Sequence, residues 1–323
     1  MMQIALVSFG AGAAAALLFA SVISASWLSI ILFYLAPLPI LIAVLGWTHW
    51  AGLIAALGAA VALAVIFGGL FFLAFLAGVG LPAWWLGYLT MLARPVGAQG
   101  NGRADGALEW YPAGRLVLWA AILALLVVLV AMFNFGTDLE SFRAGLTRSL
   151  ERMFRAPVEA RPGATSANTR SSIIDFFVFA LPPAAAVLAT ITNLLNLWLA
   201  GRIVKFSGRL RRPWPELAAM DFPKWAPTLL MLAVAATFLP GLPGLFGGVA
   251  SASLLMAYGL LGFAVMHTIT RGMKSRGLML GGLYAAVIIF GWPLLVLCTL
   301  GLAEGAFEIR RRVARRRGPP ARS

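Results

Sequence analysis

The chain has 323 residues, of which 61% are hydrophobic and only 11% charged, and its mean hydropathy is +0.92. Soluble domains carry about 25% charged residues, so this composition excludes an ordinary water-soluble globule and points to an integral membrane protein. The net charge of +14 does not indicate nucleic acid, because all 25 Lys and Arg lie in short segments between or after apolar runs. Charge placed that way orients spans and meets lipid headgroups.

Taken in chain order, the first 93 residues contain no Asp, Glu, Lys or Arg, and the first formal charge is Arg94. A span needs ~20 apolar residues, so several fit before Arg94. The opening Met1-Met2-Gln3 lacks the basic segment of a secretory signal, and the first helix is expected to stay on the protein. Apolar runs predict spans near 4–23, 27–46, 51–67, 70–92, 115–135, 173–200, 226–239, 245–270 and 278–302. The 226–239 run, bounded by Pro227 and Pro240, falls short of the ~17 residues a full crossing takes and reads as a re-entrant segment or a half-helix.

Within the first span, Ser8, Gly12, Ala16 and Ala20 recur every four residues, a spacing that lets another helix approach closely. Pro37 and Pro39 in the second span and Pro182-Pro183 in the sixth remove backbone donors and invite kinks. Trp47, Trp50, Trp84, Trp85, Trp110 and Trp119 cluster near span ends and read as an interfacial belt.

Between the fifth and sixth spans, Leu139, Phe142, Leu146, Leu150 and Met153 fall at steps of three and four, with Arg143, Arg148, Glu151, Arg152 and Arg155 on the other faces. That is an amphipathic helix suited to an anionic interface or a docking partner, or to a solvated connector. Residues 156–169 read as a flexible linker. In the sixth span, Asn193 and Asn196 share a face near Thr190 and Thr192, so their amides can bond a ligand or a neighbouring helix. Tyr258 in mid-span and Asn134 near a span end allow the same alternatives. The segment after Arg310, with Arg311, Arg312 and further arginines, is expected to be disordered or lipid-bound.

These elements divide the chain into N-terminal membrane helices (1–135), an amphipathic helix and linker (136–172), C-terminal membrane helices (173–303) and a basic tail (304–323). If 226–239 does not cross, the loop charges favour a cytoplasmic tail; if it does, the two sides are nearly balanced and charge orients nothing. No phosphate loop, zinc-protease motif, nucleophile elbow or buried carboxylate pair occurs. His49, His267 and Cys298 each stand alone, so neither an enzyme nor a cofactor is expected.

The C-terminal third carries a family pattern. AYGLLGFAVMHTITRGMKSRGL from Ala257 and LGLAEGAFEIRRR from Leu300, together with NLLNLWLAGRIVKFSGRLRRPWPEL from Asn193 and DFPKWAP from Asp221, resemble the YybS-like family of predicted bacterial membrane proteins. Glu304 and Glu308 stand where that family more often has Asp. The resemblance covers 173–312, and the N-terminal half by hydropathy. It implies a distant similarity to the substrate-binding subunits of energy-coupling-factor vitamin transporters, usually of six spans, and to the rod-shape protein MreD. Those transporter subunits use small-residue rows on the first helix to meet a coupling partner, which gives Gly12, Ala16 and Ala20 that role.

The expectation is therefore an all-α, polytopic transmembrane bundle of eight or nine spans in a bacterial inner membrane, with one amphipathic interfacial helix. In the leading reading it is a transporter subunit that relies on separate ATPases, with Asn193, Asn196 and Tyr258 on the ligand. The alternative is a non-transporting cell-envelope scaffold that holds anionic lipid or a partner protein through Arg143, Arg148, Arg152, Arg155 and the Arg310–Arg312 cluster.

Overall fold

The structure, a computed structural model, describes residues 2–24, 26–95, 108–158, 167–216 and 220–317, with the side chains of 151–158, 167–171, 173, 174, 314, 316 and 317 outside the description. The described chain is nearly all helix. Helix α1 (Met2–Ala20) runs into a 3-10 turn, Ser21–Ser24, and is followed by α2 (Trp27–Tyr34), whose first turn is capped by Ser26 Oγ accepting the Ser29 N–H at 3.1 Å. Helix α3 (Pro37–Gly46) begins on a proline, as the sequence expects of a kinked second span. Helix α4 (His49–Phe67) is capped by Thr48 Oγ1 on the Ala51 N–H at 3.2 Å and ends at Gly68, whose φ of 97° admits a turn that other residues rarely make.

Helix α5 (Gly69–Phe75) continues through a π-helical turn, Leu76–Gly80, into α6 (Leu81–Thr90). Strands β1 (Ala93–Pro95) and β2 (Leu108–Trp110) pair antiparallel, Arg94 opposite Glu109. Then come α7 (Ala113–Phe133), α8 (Leu139–Val158), α9 (Ala167–Phe206), α10 (Ala226–Ala236), α11 (Leu242–Ile269), α12 (Arg276–Phe290), α13 (Pro293–Phe307) and α14 (Ile309–Arg317).

Among the described residues seven stretches are long and apolar enough to cross a membrane: Met2–Ser24, Trp27–Gly46, His49–Phe67, Gly69–Thr90, Ala113–Phe133, Asp175–Phe206 and Leu242–Ile269. The all-α polytopic architecture is as expected, but two boundaries are corrected. The 278–302 run is not one helix. Gly291, at φ 71°, breaks it into α12 and α13, each of 15 residues. At 1.5 Å per residue either piece is shorter than the ~30 Å hydrocarbon core. The basic tail is also not wholly irregular, since α14 carries helix to Arg317. Helix α9 runs 40 residues, longer than its apolar window, and Pro182-Pro183 lie inside it without ending it.

The helices group into two compact units, Met1–Ala120 with Ile191–Phe222 and Ala121–Thr190 with Pro223–Ser323, so that the division falls inside α7 and α9. In the first unit α1 lies against α4. A Cβ on Gly12 would stand 2.8 Å from the Ala55 carbonyl oxygen, and Ala15, Ala16, Ala51, Ala55 and Ala59 are buried along the same seam. Within lipid no hydrophobic force drives two apolar helices together, so close van der Waals packing of small residues does it instead.

The second unit repeats this device between α11 and α13. A Cβ on Gly262 would overlap the Leu297 carbonyl, and one on Gly301 the Tyr258 carbonyl. Cys298, buried in that seam, donates its thiol to the Leu255 carbonyl at 3.1 Å. At the end of α13 Glu308 takes a left-handed conformation, φ 47°, and Glu304 accepts the Arg310 N–H at 3.1 Å to start α14.

Helix α8 has the expected amphipathic pattern. Its apolar residues Phe142, Leu146 and Leu150 are buried in one cluster with Val128, Met132, Val178, Ala186, Leu242, Leu245 and Val249. That face is covered by the second unit's own core. Asp138 caps α8, accepting the N–H groups of Glu140 at 3.0 Å and Ser141 at 2.8 Å. The Ser141 hydroxyl, donating to the same carboxylate at 2.6 Å, is the main cause that holds its pKa below the ordinary Asp value.

Candidate functional site

Asn196 stands on the face of α9 that meets the break between α2 and α3. Pro37 and Pro39 have no N–H to offer, so the last carbonyls of α2 lose helical partners there. The Asn196 side-chain amide fills one of these gaps, donating to the Tyr34 carbonyl at 2.8 Å and to the Thr192 carbonyl at 2.9 Å. Its Oδ1 is buried without a donor among the described residues. Asn193, one turn earlier, is also buried.

Tyr258 is buried in the second unit, whereas both asparagines belong to the first. The second unit keeps its own polar junction. Ser253 donates to the Ala121 carbonyl at 2.6 Å and meets Thr190 Oγ1 at 3.0 Å, while Thr190 also donates to the Ala186 carbonyl at 2.8 Å. Asn134 donates to the Val130 carbonyl at 3.1 Å. Among the described residues no group of three His, Cys, Asp or Glu is arranged to hold a metal. His49 packs its ring against Trp50 and Tyr88, and His267 Nε2 lies 2.9 Å from the Tyr284 hydroxyl.

Of the docking row, Gly12 and Ala16 are in the α1–α4 seam and Ala20 is half-buried at the helix end. Beside that seam runs an apolar groove of about 640 Å³, lined by Ile4, Ser8, Phe9, Gly12, Ile54 and Gly58.

The predicted cation set is divided. Arg143 stacks on Phe179, 4.8 Å from its ring centre, and Arg148 is exposed, with Nε bonded to the Ala144 carbonyl at 3.1 Å. The side chains of Arg152 and Arg155 lie outside the described residues. Arg310 forms a 2.7 Å ion pair with the buried carboxylate of Glu304, its own side chain only 13% exposed. Arg311 pairs with Glu308 at 3.0 Å on the surface, and Arg312 lies 5.9 Å from the centre of the Phe307 ring.

A different constellation, not singled out from sequence, forms at one end of the first unit. There α3 ends, α4 begins and α9 runs out into the 207–216 segment. Arg209 lies over Trp47 at 4.5 Å, Lys205 over Trp214 at 5.1 Å, and Arg202 at 5.7 Å from both Trp198 and Trp214. Trp214 in turn covers Gly201, where an added Cβ would meet the ring in ordinary contact at 3.5 Å.

Beneath this rim Arg212 is buried and donates to the Thr90 carbonyl at 2.9 Å and the Tyr111 carbonyl at 2.8 Å, fixing the loop to the end of α6 and the approach to α7. Burial pushes its pKa below the ordinary Arg value. An aromatic layer adjoins it. Trp84 stacks on Tyr88, Trp85 meets Trp119 edge-on, and Trp119 donates to the Tyr111 hydroxyl at 3.0 Å. Among the described residues the buried indole N–H groups of Trp84 and Trp85 have no acceptor. The sequence signal for the rim was present in the spacing of Trp198, Arg202 and Lys205, which places one aromatic and two cations on adjoining turns of one helix.

Apolar helices packed on small-residue seams within each unit, with seven stretches among the described residues long and apolar enough to cross a membrane, define a polytopic membrane protein. Residues 13–245 match the family described as Predicted membrane protein (DUF2232), and with well over half of its length matched the chain belongs to that family. The match opens inside α1 and reaches the start of α11, so it takes in the N-terminal helices and stops before Ala257, where the C-terminal motifs begin. No curated protein and no solved structure matches the chain.

Proposed function

We propose that this protein is a non-transporting scaffold of the bacterial inner membrane, holding anionic lipid or an envelope partner through its exposed cationic faces and catalysing no reaction. The observation that carries this reading is the Asn196 amide, which bonds the Tyr34 and Thr192 carbonyls and so serves the protein's own backbone. Polar side chains that line a substrate path keep their donors for the substrate. Here the best-placed donor at span depth completes a broken helix. The second unit treats Thr190 and Ser253 alike, closing them on each other and on main-chain carbonyls.

A second reading, the substrate-binding subunit of a transporter that works with separate ATPases and a coupling subunit, is favoured by one observation. The groove beside Ser8 and Gly12 is apolar and bordered by small residues, as a partner helix requires. In that reading Asn193, Asn196 and Tyr258 meet the ligand and Gly12, Ala16 and Ala20 meet the partner.

Native mass spectrometry of the protein, gently extracted from its own membrane, separates the two. The scaffold predicts phospholipid alone or an envelope protein in fixed stoichiometry. An ATPase pair or a retained metabolite overturns it in favour of the transporter subunit.

A further inference from the structure

We propose that the rim of the first unit is a specific site for the phosphate headgroup of an anionic phospholipid, formed by Arg202, Lys205 and Arg209 on the faces of Trp47, Trp198 and Trp214. The site stands independently of whether the protein is a scaffold or a transporter subunit.

Three observations meet here. First, the three cations are exposed, and among the described residues no carboxylate pairs with any of them, whereas Arg94, Arg310 and Arg311 each have one. Their charge is left for an anion outside the chain. Second, each lies against an indole face at 4.5–5.7 Å. A cation held over a ring face keeps the N–H groups turned away from the ring free to donate to phosphate oxygens. Third, α9 is apolar up to the turn that bears Arg202, so this turn sits where hydrocarbon gives way to headgroups.

The loop is also held in place from behind. Arg212 ties it to the Thr90 and Tyr111 carbonyls, so Arg209 and Trp214, on either side of Arg212, start from an ordered backbone. A general attraction between basic loops and anionic membrane would not require such ordering. A built site does.

The test uses the full chain, delipidated in detergent, and counts bound lipid by native mass spectrometry during titration with phosphatidylglycerol or with phosphatidylcholine of the same acyl chains. One tightly held equivalent of phosphatidylglycerol is expected. Each basic residue near an anionic surface contributes on the order of fivefold, so R202Q/K205Q/R209Q is expected to weaken that equivalent by about 100-fold. The charge-matched control R271Q/K274Q/R276Q, at three exposed cations from the end of α11 to the start of α12, is expected to change it less than threefold.

R202K/R209K, which keeps the charge and loses the planar fork, is expected to fall between wild type and the triple variant, and serves if the glutamine variant does not fold. Millimolar inorganic phosphate is expected to leave the bound lipid in place; if phosphate displaces it, the site reads a free anion and the lipid assignment falls. Equal binding of both lipids by the wild type, or equal losses in the two triple variants, overturns the proposal.

Discussion

Gly262→Ala tests whether the second unit is held by the contact of α11 with α13. A methyl group at Gly262 would stand 2.7 Å from the Leu297 carbonyl carbon and overlap its oxygen, while ordinary contact begins at 3.4 Å. The two helices must therefore part by about 0.7 Å or more, and every neighbour in the seam loses part of its dispersion energy. Overpacking of this kind costs about 1–3 kcal/mol, which lowers the ratio of closed to open seam between about 5-fold and 150-fold.

Gly301→Ala meets the Tyr258 carbonyl across the same seam and forces the same separation. The double variant should then lose clearly less than the sum of the two single losses, because one displacement relieves both overlaps. Cys298 is the reporter. It is the chain's only cysteine and is buried in this seam, so a thiol-reactive dye added during heating reads the opening. Gly281→Ala is the control, since its added methyl has nothing within 4 Å in α12 and should stabilise by about 0.5–1 kcal/mol. Unchanged labelling temperatures in both seam variants, or strict additivity of their losses, would refute the reasoning.

Three further outcomes follow from the geometry. Asn196→Leu leaves the Tyr34 carbonyl without its amide donor and should cost about 1–2 kcal/mol in detergent unfolding, while Asn196→Asp, which brings an acceptor against that carbonyl, should cost more; equal losses would argue against the bond. Glu308→Gly should raise stability by about 1 kcal/mol by relieving the left-handed backbone, the exposed Arg311 pair being worth little; a lower unfolding midpoint would contradict this. The Asp138 carboxyl has a lowered folded-state pKa, so its cap on α8 is fully present above the ordinary Asp value near 3.9 and is lost as pH falls through the lower folded value. The protection factors of the Glu140 and Ser141 amides, taken against their intrinsic exchange rates at each pH, should fall on acidification in the wild type and depend less on pH in Asp138→Asn.

Much of the architecture was legible because hydrocarbon leaves few options. A charge-free N-terminal stretch can only be membrane helix, Pro37 can only begin or bend one, and the three-and-four spacing of Phe142, Leu146 and Leu150 gives α8 its apolar face. What covers that face was not legible, because residues such as Val178 and Val249 look the same whether they face lipid or a helix. The break at Gly291 was masked by hydropathy. Phe290, Trp292 and Pro293 keep the window apolar although the backbone turns at φ 71°. Asn196 was visible as a polar residue at depth, but its partner is 162 positions away. Arg211 and Arg212 are adjacent and chemically identical, yet one is exposed and the other buried, a difference made only by where the ends of α6 and α7 lie.

Arg212 also sets how the two arms 90–95 and 108–111 stand to each other. By holding both carbonyls with one guanidinium, and with Arg94 paired to Glu109 just beyond, the fold ties the two arms side by side. Length inserted beyond two arms tied in this way costs only loop entropy, about 0.6 kcal/mol for each doubling. The helices are thereby insulated from what is placed between the strands. An epitope or a protease site inserted there would report which face of the membrane carries the arginine and tryptophan rim, while leaving the packing of the spans as it is.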